Sequence, residues 1–476
     1  MAKENPNIVV CLLDTARADR FSCYGNSRNT TPFIDSLIEN GIRYEEAYST
    51  SIWSLPAYTS LFSGELPSSH GITSWEPGAK NSLVPSLNNN YRSICISPHV
   101  MGGGWGLVDP FDHFERVKVP HKAPMFSPDP VLEEMRGETP QVGDFLNLLI
   151  KHKSTRTIPN ALNQLFKKKI RYKMGFWDDS GANNTIIQAK KAISKTDEPF
   201  FLFMNFVESH MPIHLPRDWA FNYTDQSATE INNINDLSLF DATFGDRIVS
   251  EKERQLLLDL HDGSLAYQDA KIKDFYEYLS DENMAENTVF VFLSDHGNLF
   301  GERDIWGHHA DIQRHVCRIP LLIRYPWDTD SVVKKPVSIT SLFDNLIHVS
   351  DGNQTEVSPD GSVFVEYSGY DEETLTNNNV PIEPWSYYQV SCIEDGWKLD
   401  WRADGGTRLH TVDDSGPDLT TKHPDIVKNM KEKILNTTGD PADLHERLGS
   451  GTDLEKIDHE TIDHLSSLGY IMEENK

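Results

Sequence analysis

The chain has 476 residues, with 72 acidic against 44 basic side chains and a formal charge of -28. At roughly 100–200 residues per domain this length implies two or three domains, or one large α/β domain with a smaller companion, and it excludes a bare binding module. The charge has the wrong sign for nucleic-acid phosphates or anionic membranes, while 38% hydrophobic residues with 10 Trp, 16 Tyr and 22 Phe supply a large buried core.

Such an acidic excess fits a surface kept soluble in concentrated salt, where screening shortens to about 3 Å at 1 M. The plain alternative is an ordinary acidic cytosolic protein. A salt titration of unfolding separates the two: a halophilic chain loses stability as salt is withdrawn, and full stability in dilute buffer rejects the halophilic reading. The five cysteines, Cys11, Cys23, Cys95, Cys317 and Cys392, are odd in number, scattered and without C-x-x-C spacing, so neither a disulfide framework nor a zinc knuckle is expected. The first apolar run stops at Asp14, too short for a signal or a membrane span, and no later run approaches ~18 apolar residues. The expected address is the cytoplasm.

In chain order, the Val-, Ile- and Phe-rich runs 8–13, 93–96, 200–206, 288–293 and 319–323 predict strands, and 31–40, 184–193 and 254–279 predict helices. Continuous apolar strands alternating with helices imply a mostly parallel sheet covered on both faces, with ligands bound beyond the carboxyl ends of the strands. Residues 117–173 interrupt this rhythm with several prolines and a basic stretch, either a solvated helical insertion or a lid that brings basic side chains to an anionic substrate. From about residue 362, short strands with turns at Asp395-Gly396 and Asp404-Gly405-Gly406 predict antiparallel hairpins. The expected division is 1–355, a large catalytic α/β domain, and 356–476, a small antiparallel α+β subdomain.

Asp14 directly follows the first strand, a place for a helix N-cap or a hard-metal ligand. Asp295-His296-Gly297 sits as directly after 288–293, so two strand ends offer two carboxylates and an imidazole to one divalent cation. In Trp53-Ser54-Leu55-Pro56-Ala57, Pro56 suits the first turn of a helix that Gly64 ends, which puts Ser54 at or just before its start. There it is either a capping serine or a hydroxyl nucleophile beside unpaired N–H groups that favour anions.

Together these elements resemble the sulfatase branch of the alkaline-phosphatase superfamily. Asn7-Ile8-Val9-Val10 to Asp14, Arg17-Ala18-Asp19 and Cys23-Tyr24-Gly25 are similar to the first metal segment. Ser54-x-Pro56-Ala57 through Ser63-Gly64, Pro67 and His70-Gly71 are similar to the nucleophile segment. Glu208-Ser209-His210-Met211-Pro212 resembles the His-x-Pro loop, and Ser294-Asp295-His296-Gly297, Gly301-Glu302, Trp306-Gly307-His308-His309 and Arg318-Ile319-Pro320-Leu321 resemble the second metal segment and the strand after it. Asp440-Pro441 and Leu468-Gly469-Tyr470 fit the tail.

The resemblance implies an alkaline phosphatase-like fold with the site at the strand ends. It implies one divalent metal, calcium by family with magnesium, manganese or zinc as alternatives, held by Asp14, Ser54, Asp295 and His296. Ser54 takes the nucleophile position, and His210 contacts the transferred group or the leaving oxygen. His308 stands where the family commonly has a lysine, and His99 lies on a loop that often supplies a basic residue. Read singly, each of these histidines is a hydrogen-bonded structural residue, and His70 and His309 are read as structural.

Three departures stand out. Tyr58 replaces the arginine that the formylglycine-forming machinery reads, which opposes modification of Ser54; Thr15 replaces a second aspartate; and His296 replaces an amide, as in phosphatase relatives. The expected activity is hydrolysis of a sulfate ester of a sugar or other small polar molecule. The alternatives are a phosphomonoester, phosphodiester or phosphonate hydrolase or a phosphoryl transferase using unmodified Ser54, and a non-catalytic relative that binds an anionic glycan.

Overall fold

The computed structural model describes residues 5–449 apart from 75–77, 100–104, 120–150, 152–156, 158–173, 176, 197, 330 and 415. The expected insertion at 117–173 lies almost wholly outside the described residues, as does the motif at 468–470.

Runs that are apolar on both faces can be sheltered only in the middle of a covered sheet. With shorter, partly polar segments at its edges they form the strands β1 (Asn7–Leu13), β2 (Ile42–Tyr44), β3 (Arg92–Ser97), β4 (His113–Arg116), β5 (Phe200–Phe206), β6 (Thr288–Leu293), β7 (Leu321–Arg324) and β8 (Ser331–Val333). Their order across the sheet is β8-β2-β7-β6-β1-β5-β3-β4. β6, β1, β5, β3 and β4 are mutually parallel, with Val10 opposite both Phe203 and Val291. The run expected at 319–323 divides at Pro320. Arg318–Ile319 pairs with Ala47–Tyr48 in a small separate sheet, and β7 runs antiparallel to both β6 and β2. β2, β4 and β8, of three or four residues with polar positions among them, carry too weak a pattern to be read from the sequence.

The two-residue alternation of β1 divides its side chains between two cores. Ile8, Val10 and Leu12 join the core beneath helices α2 (Ser54–Ser63) and α5 (Ser341–Ser350), while Val9, Cys11 and Leu13 join the one beneath α1 (Pro32–Ile38), α3 (Ala182–Ile193) and α4 (Glu251–Asp281). The 31-residue α4 starts in a capping box, Ser250 accepting from the Glu253 N–H while the Glu253 carboxylate accepts from the Ser250 N–H. Helices therefore cover both faces of a mostly parallel sheet, as expected. The later hairpins form a four-stranded antiparallel sheet of β9 (Ser362–Tyr367), β10 (Gln389–Glu394), β11 (Trp397–Arg402) and β12 (Thr407–Thr411). Its first hairpin turns at Asp395 (φ 46°) and Gly396 (φ 82°), the left-handed pair a two-residue hairpin loop requires. β9 also joins the segment leading to α2, where the Glu366 N–H donates to the Thr50 carbonyl at 2.8 Å. All five cysteines are free, and no helix among the described residues is long and apolar enough to cross a membrane.

Candidate active site

Parallel strands end at one edge of a sheet, so the residues just past β1, β3, β5 and β6 must share that edge. These are Asp14, His99, Glu208 with His210, and Asp295 with His296. Asp14 is fixed by its N–H donating to the Phe206 carbonyl at 2.8 Å, and its carboxylate Oδ2 lies 3.4 Å from His99 Nε2. The next residue, Thr15, sits at φ 56°, a region β-branched side chains avoid, and donates its N–H to Asp295 Oδ1 at 3.1 Å. This backbone bond ties the segment after β1 to the segment after β6. Arg17, buried and held by Asp19 at 2.8 Å, ties them again through Glu302 at 2.8 Å and the Asn298 carbonyl at 3.3 Å.

Asp14, Asp295 and His296 are wholly buried and bring ligand atoms to within 4.8 Å of one another. Both oxygens of Asp14 and Oδ2 of Asp295 accept no hydrogen bond among the described residues. Burial, then the charges of Asp295 and Glu208, push the Asp14 carboxyl well above its usual range. A buried carboxylate with unfilled lone pairs and like charges beside it requires a cation or a proton. The donor set of two carboxylates and an imidazole suits a divalent metal, so these residues fit the ion the resemblance implies.

Ser54 is the first residue of α2, and Trp53 occupies the N-cap position. The capping alternative does not hold: the Ser54 hydroxyl lies 3.1 Å from His296 Nε2, with no side-chain cap at this helix start. His296 Nδ1 is 2.9 Å from the Gly297 carbonyl, which can only accept, so Nδ1 carries the proton and Nε2 turns a lone pair toward Ser54 and the carboxylates. The same logic fixes His308, whose Nδ1 donates to the Ile52 carbonyl at 3.0 Å, and His210, whose Nδ1 donates to the Met211 carbonyl at 2.6 Å. Each ring is held by a backbone acceptor, the arrangement that fixes a tautomer and leaves Nε2 for the site.

The rings gather closely. His308 stacks on His296 at 4.3 Å, meets His309 at 3.8 Å and His210 at 5.8 Å. Burial, then the neighbouring imidazoles His309, His296 and His210, hold His308 well below the ordinary histidine range. Burial also brings His309 down to about 3. Where the family commonly has a lysine, His308 thus offers an imidazole whose protonated form burial disfavours. His309 belongs to this cluster, between Trp53 and His308. His70 lies elsewhere, in a buried contact with Ser60 Oγ at 3.0 Å.

Two participants were quoted in the sequence motifs without a role. Glu208 is buried, accepts from the Ala182 N–H at 2.6 Å at the start of α3, and is pushed up to about 8 by burial and then by Asp179. Its position directly after β5 was the available signal. Tyr58, buried on α2 where the arginine was expected, accepts from Asn205 Nδ2 at 2.9 Å and places its ring 5.4 Å from His99.

Gly297 is required by space. A Cβ there would lie 2.0 Å from the His315 carbonyl oxygen. Gly297→Ala is expected to lower stability by about 1–3 kcal/mol, seen as a lower urea midpoint at unchanged slope, and to displace His296.

A family pattern described as Sulfatase matches residues 6–352. An arylsulfatase of Clostridium perfringens is 23% identical over 375 residues, 73% of each chain. Among solved structures, the phosphonate monoester hydrolase of Agrobacterium radiobacter superposes with a TM-score of 0.64 at 14% identity, covering 92% of this chain and 96% of its own. A protein solved with its substrate D-glucosamine-2-N,6-O-disulfate gives 0.63 at 15%, covering 92% and 99%.

Proposed function

The chain belongs to the sulfatase family, hydrolases of sulfate esters, and from that premise we propose that its substrate is the sulfate ester of a sugar or other small polar molecule, cleaved at Ser54. The observation that carries this reading is the buried convergence of Ser54 with Asp14, Asp295 and His296. It also argues against the non-catalytic alternative, since a mere glycan platform gains nothing from buried carboxylate oxygens, both of Asp14 and one of Asp295, that accept no hydrogen bond among the described residues.

Asp14, Asp295, His296 and the Ser54 oxygen would hold one divalent metal. When bound, such an ion supplies Lewis-acid stabilisation of charge on the ester oxygens and favours the ionised serine. Calcium is the first choice by family, and the imidazole ligand also suits magnesium, manganese or zinc. The His296 lone pair accepts from the Ser54 hydroxyl in the arrangement seen here. The N-terminal end of α2, the positive end of its dipole, favours an incoming anion beside Ser54. His210 and His308 are assigned to the leaving-group oxygen: the anionic ester raises their proton affinity on binding, and Nε2 of either ring delivers a proton as the bond breaks. His99, against Asp14, steadies that carboxylate. A disulfated glucosamine in a relative of the same fold supports an amino-sugar or sugar substrate. Five unpaired cysteines support a cytoplasmic site of action.

A second reading, a phosphate or phosphonate ester cleaved by unmodified Ser54, is favoured by Tyr58. The mass of the peptide containing Ser54 decides between them. Loss of two hydrogens marks formylglycine and sulfatase chemistry of the usual kind. An unmodified serine, with turnover of aryl phosphate or phosphonate exceeding that of aryl sulfate in parallel assays, overturns the sulfate reading.

A further inference from the structure

His308 stands on a hairpin rather than at a strand end of the main sheet, so something other than the sheet must fix it. The hairpin pairs Leu299–Glu302 with Ile305–Gly307 through a two-residue turn, Arg303 (φ 52°) and Asp304 (φ 60°). Both positions are left-handed, where Asn-Gly is the usual choice, so this turn does not hold its shape by local preference. It is held from the C-terminal sheet. Arg303 Nη2 donates to the carbonyl of Asp414 at 2.7 Å and to its Oδ1 at 3.1 Å, while Arg303 Nη1 reaches Asp311 Oδ2 at 3.4 Å. At the far end of the same loop, the Arg314 N–H donates to Asp414 Oδ2 at 3.1 Å. Between these two points the Tyr367 hydroxyl of β9 donates to the His309 carbonyl.

Asp414 is itself held from behind. It lies just beyond β12, beside a buried group in which Asp400 takes Lys398 Nζ at 2.6 Å, His410 Nε2 at 3.0 Å and the Ser391 hydroxyl. Lys398 Nζ is 3.7 Å from Asp414 Oδ1. Asp400, His410 and Asp414 bring ligand atoms within 4.8 Å of one another, as a metal site does, but the Lys398 ammonium already supplies the positive charge and both carboxylates have their donors. The cluster is therefore an anchor rather than a second metal centre.

We propose that Asp414 is a positioning residue for His308, clamping both ends of the 303–314 loop so that the His308 ring stays stacked on His296 and bonded to Ile52. The C-terminal sheet is then part of the catalytic apparatus without supplying a group that touches substrate. The proposal rests on the leaving-group role of His308 only for its kinetic signature.

The test compares Arg303→Met, which cuts the pin from the loop and leaves the Lys398–Asp400–His410 group intact, with Asp414→Asn, His308→Ala and the Arg303→Met/His308→Ala double variant. Each is assayed on an activated aryl sulfate and on an alkyl sulfate with a poor leaving group, with divalent metal present. His308→Ala is expected to lose on the order of 10²-fold in kcat on the alkyl ester and much less on the aryl ester. Arg303→Met is expected to show the same bias at about 10-fold, with KM little changed, and Asp414→Asn, which keeps one acceptor oxygen, a smaller loss of the same kind. The double variant should fall within about 3-fold of His308→Ala, because a clamp has nothing left to position. Multiplicative losses in the double variant, or an Arg303→Met defect equal on both esters, overturn the positioning role. A non-additive cycle in which His308→Ala shows no leaving-group bias leaves the clamp standing and removes His308 from the leaving group.

Discussion

Ser54→Ala is expected to lower kcat/KM on sulfate esters by at least about 10³-fold while leaving the fold nearly intact. The hydroxyl meets the His296 lone pair at the N-terminal end of α2, and a methyl group there is no nucleophile. Stability should change little, because the N-cap position of α2 belongs to Trp53 rather than to Ser54. Ser54→Thr keeps a hydroxyl but adds a methyl in a fully buried place, so it should fall between alanine and wild type. Rates with saturating substrate and metal, beside thermal melts of the same preparations, check both halves.

Asp14→Asn carries the second large effect, and its two parts have opposite signs. Turnover should fall by at least about 10²-fold, because one carboxylate is lost from a three-residue ligand set. The chelator-treated protein should nevertheless melt at a higher temperature than wild type treated alike. Asp14 is buried with like charges on Asp295 and Glu208, and a neutral amide of the same shape removes that repulsion. Adding a divalent cation should then raise the melting temperature of wild type and leave Asp14→Asn nearly unmoved, since binding to the folded state is what stabilises it. A variant that melts lower than wild type after chelation shows that Asp14 is paired with a positive side chain and not reserved for a metal.

The fold was readable where the sheet is buried on both sides. The strands expected at 8–13, 200–206 and 288–293 match β1, β5 and β6 closely because a central parallel strand must be apolar on both faces. Asp14, Asp295 and His296 were placed at that edge for the same reason, since the end of each such run marks where a doubly wound sheet binds its ligand, whereas His99 and His210 were named through the family resemblance. The edges were harder. β2, β4 and β8 have few buried positions, and the reversal of β7 after Pro320 depends on pairing partners nearly 300 residues away for β2, which no local pattern encodes. Ser54 was placed through the proline and glycine that frame its helix, but its direction was not, because whether a serine caps or faces a histidine 242 residues away is decided by packing. Long-range ties such as Thr15 to Asp295, Arg17 to Glu302 and Arg303 to Asp414 were equally hidden, each joining residues that share no sequence window.

The most direct test of the site is a set of three turnover measurements on an aryl sulfate, made on wild type, Ser54→Ala and Asp295→Ala after chelation and again after a divalent cation is restored. Wild type should be silent after chelation and recover with metal, Ser54→Ala should stay at least about 10³-fold down in both conditions, and Asp295→Ala should fail to recover at cation levels that saturate wild type. Full turnover in both variants would place the chemistry elsewhere and contradict the assignment of Asp14, Ser54, Asp295 and His296 as one metal-dependent ester-cleaving centre.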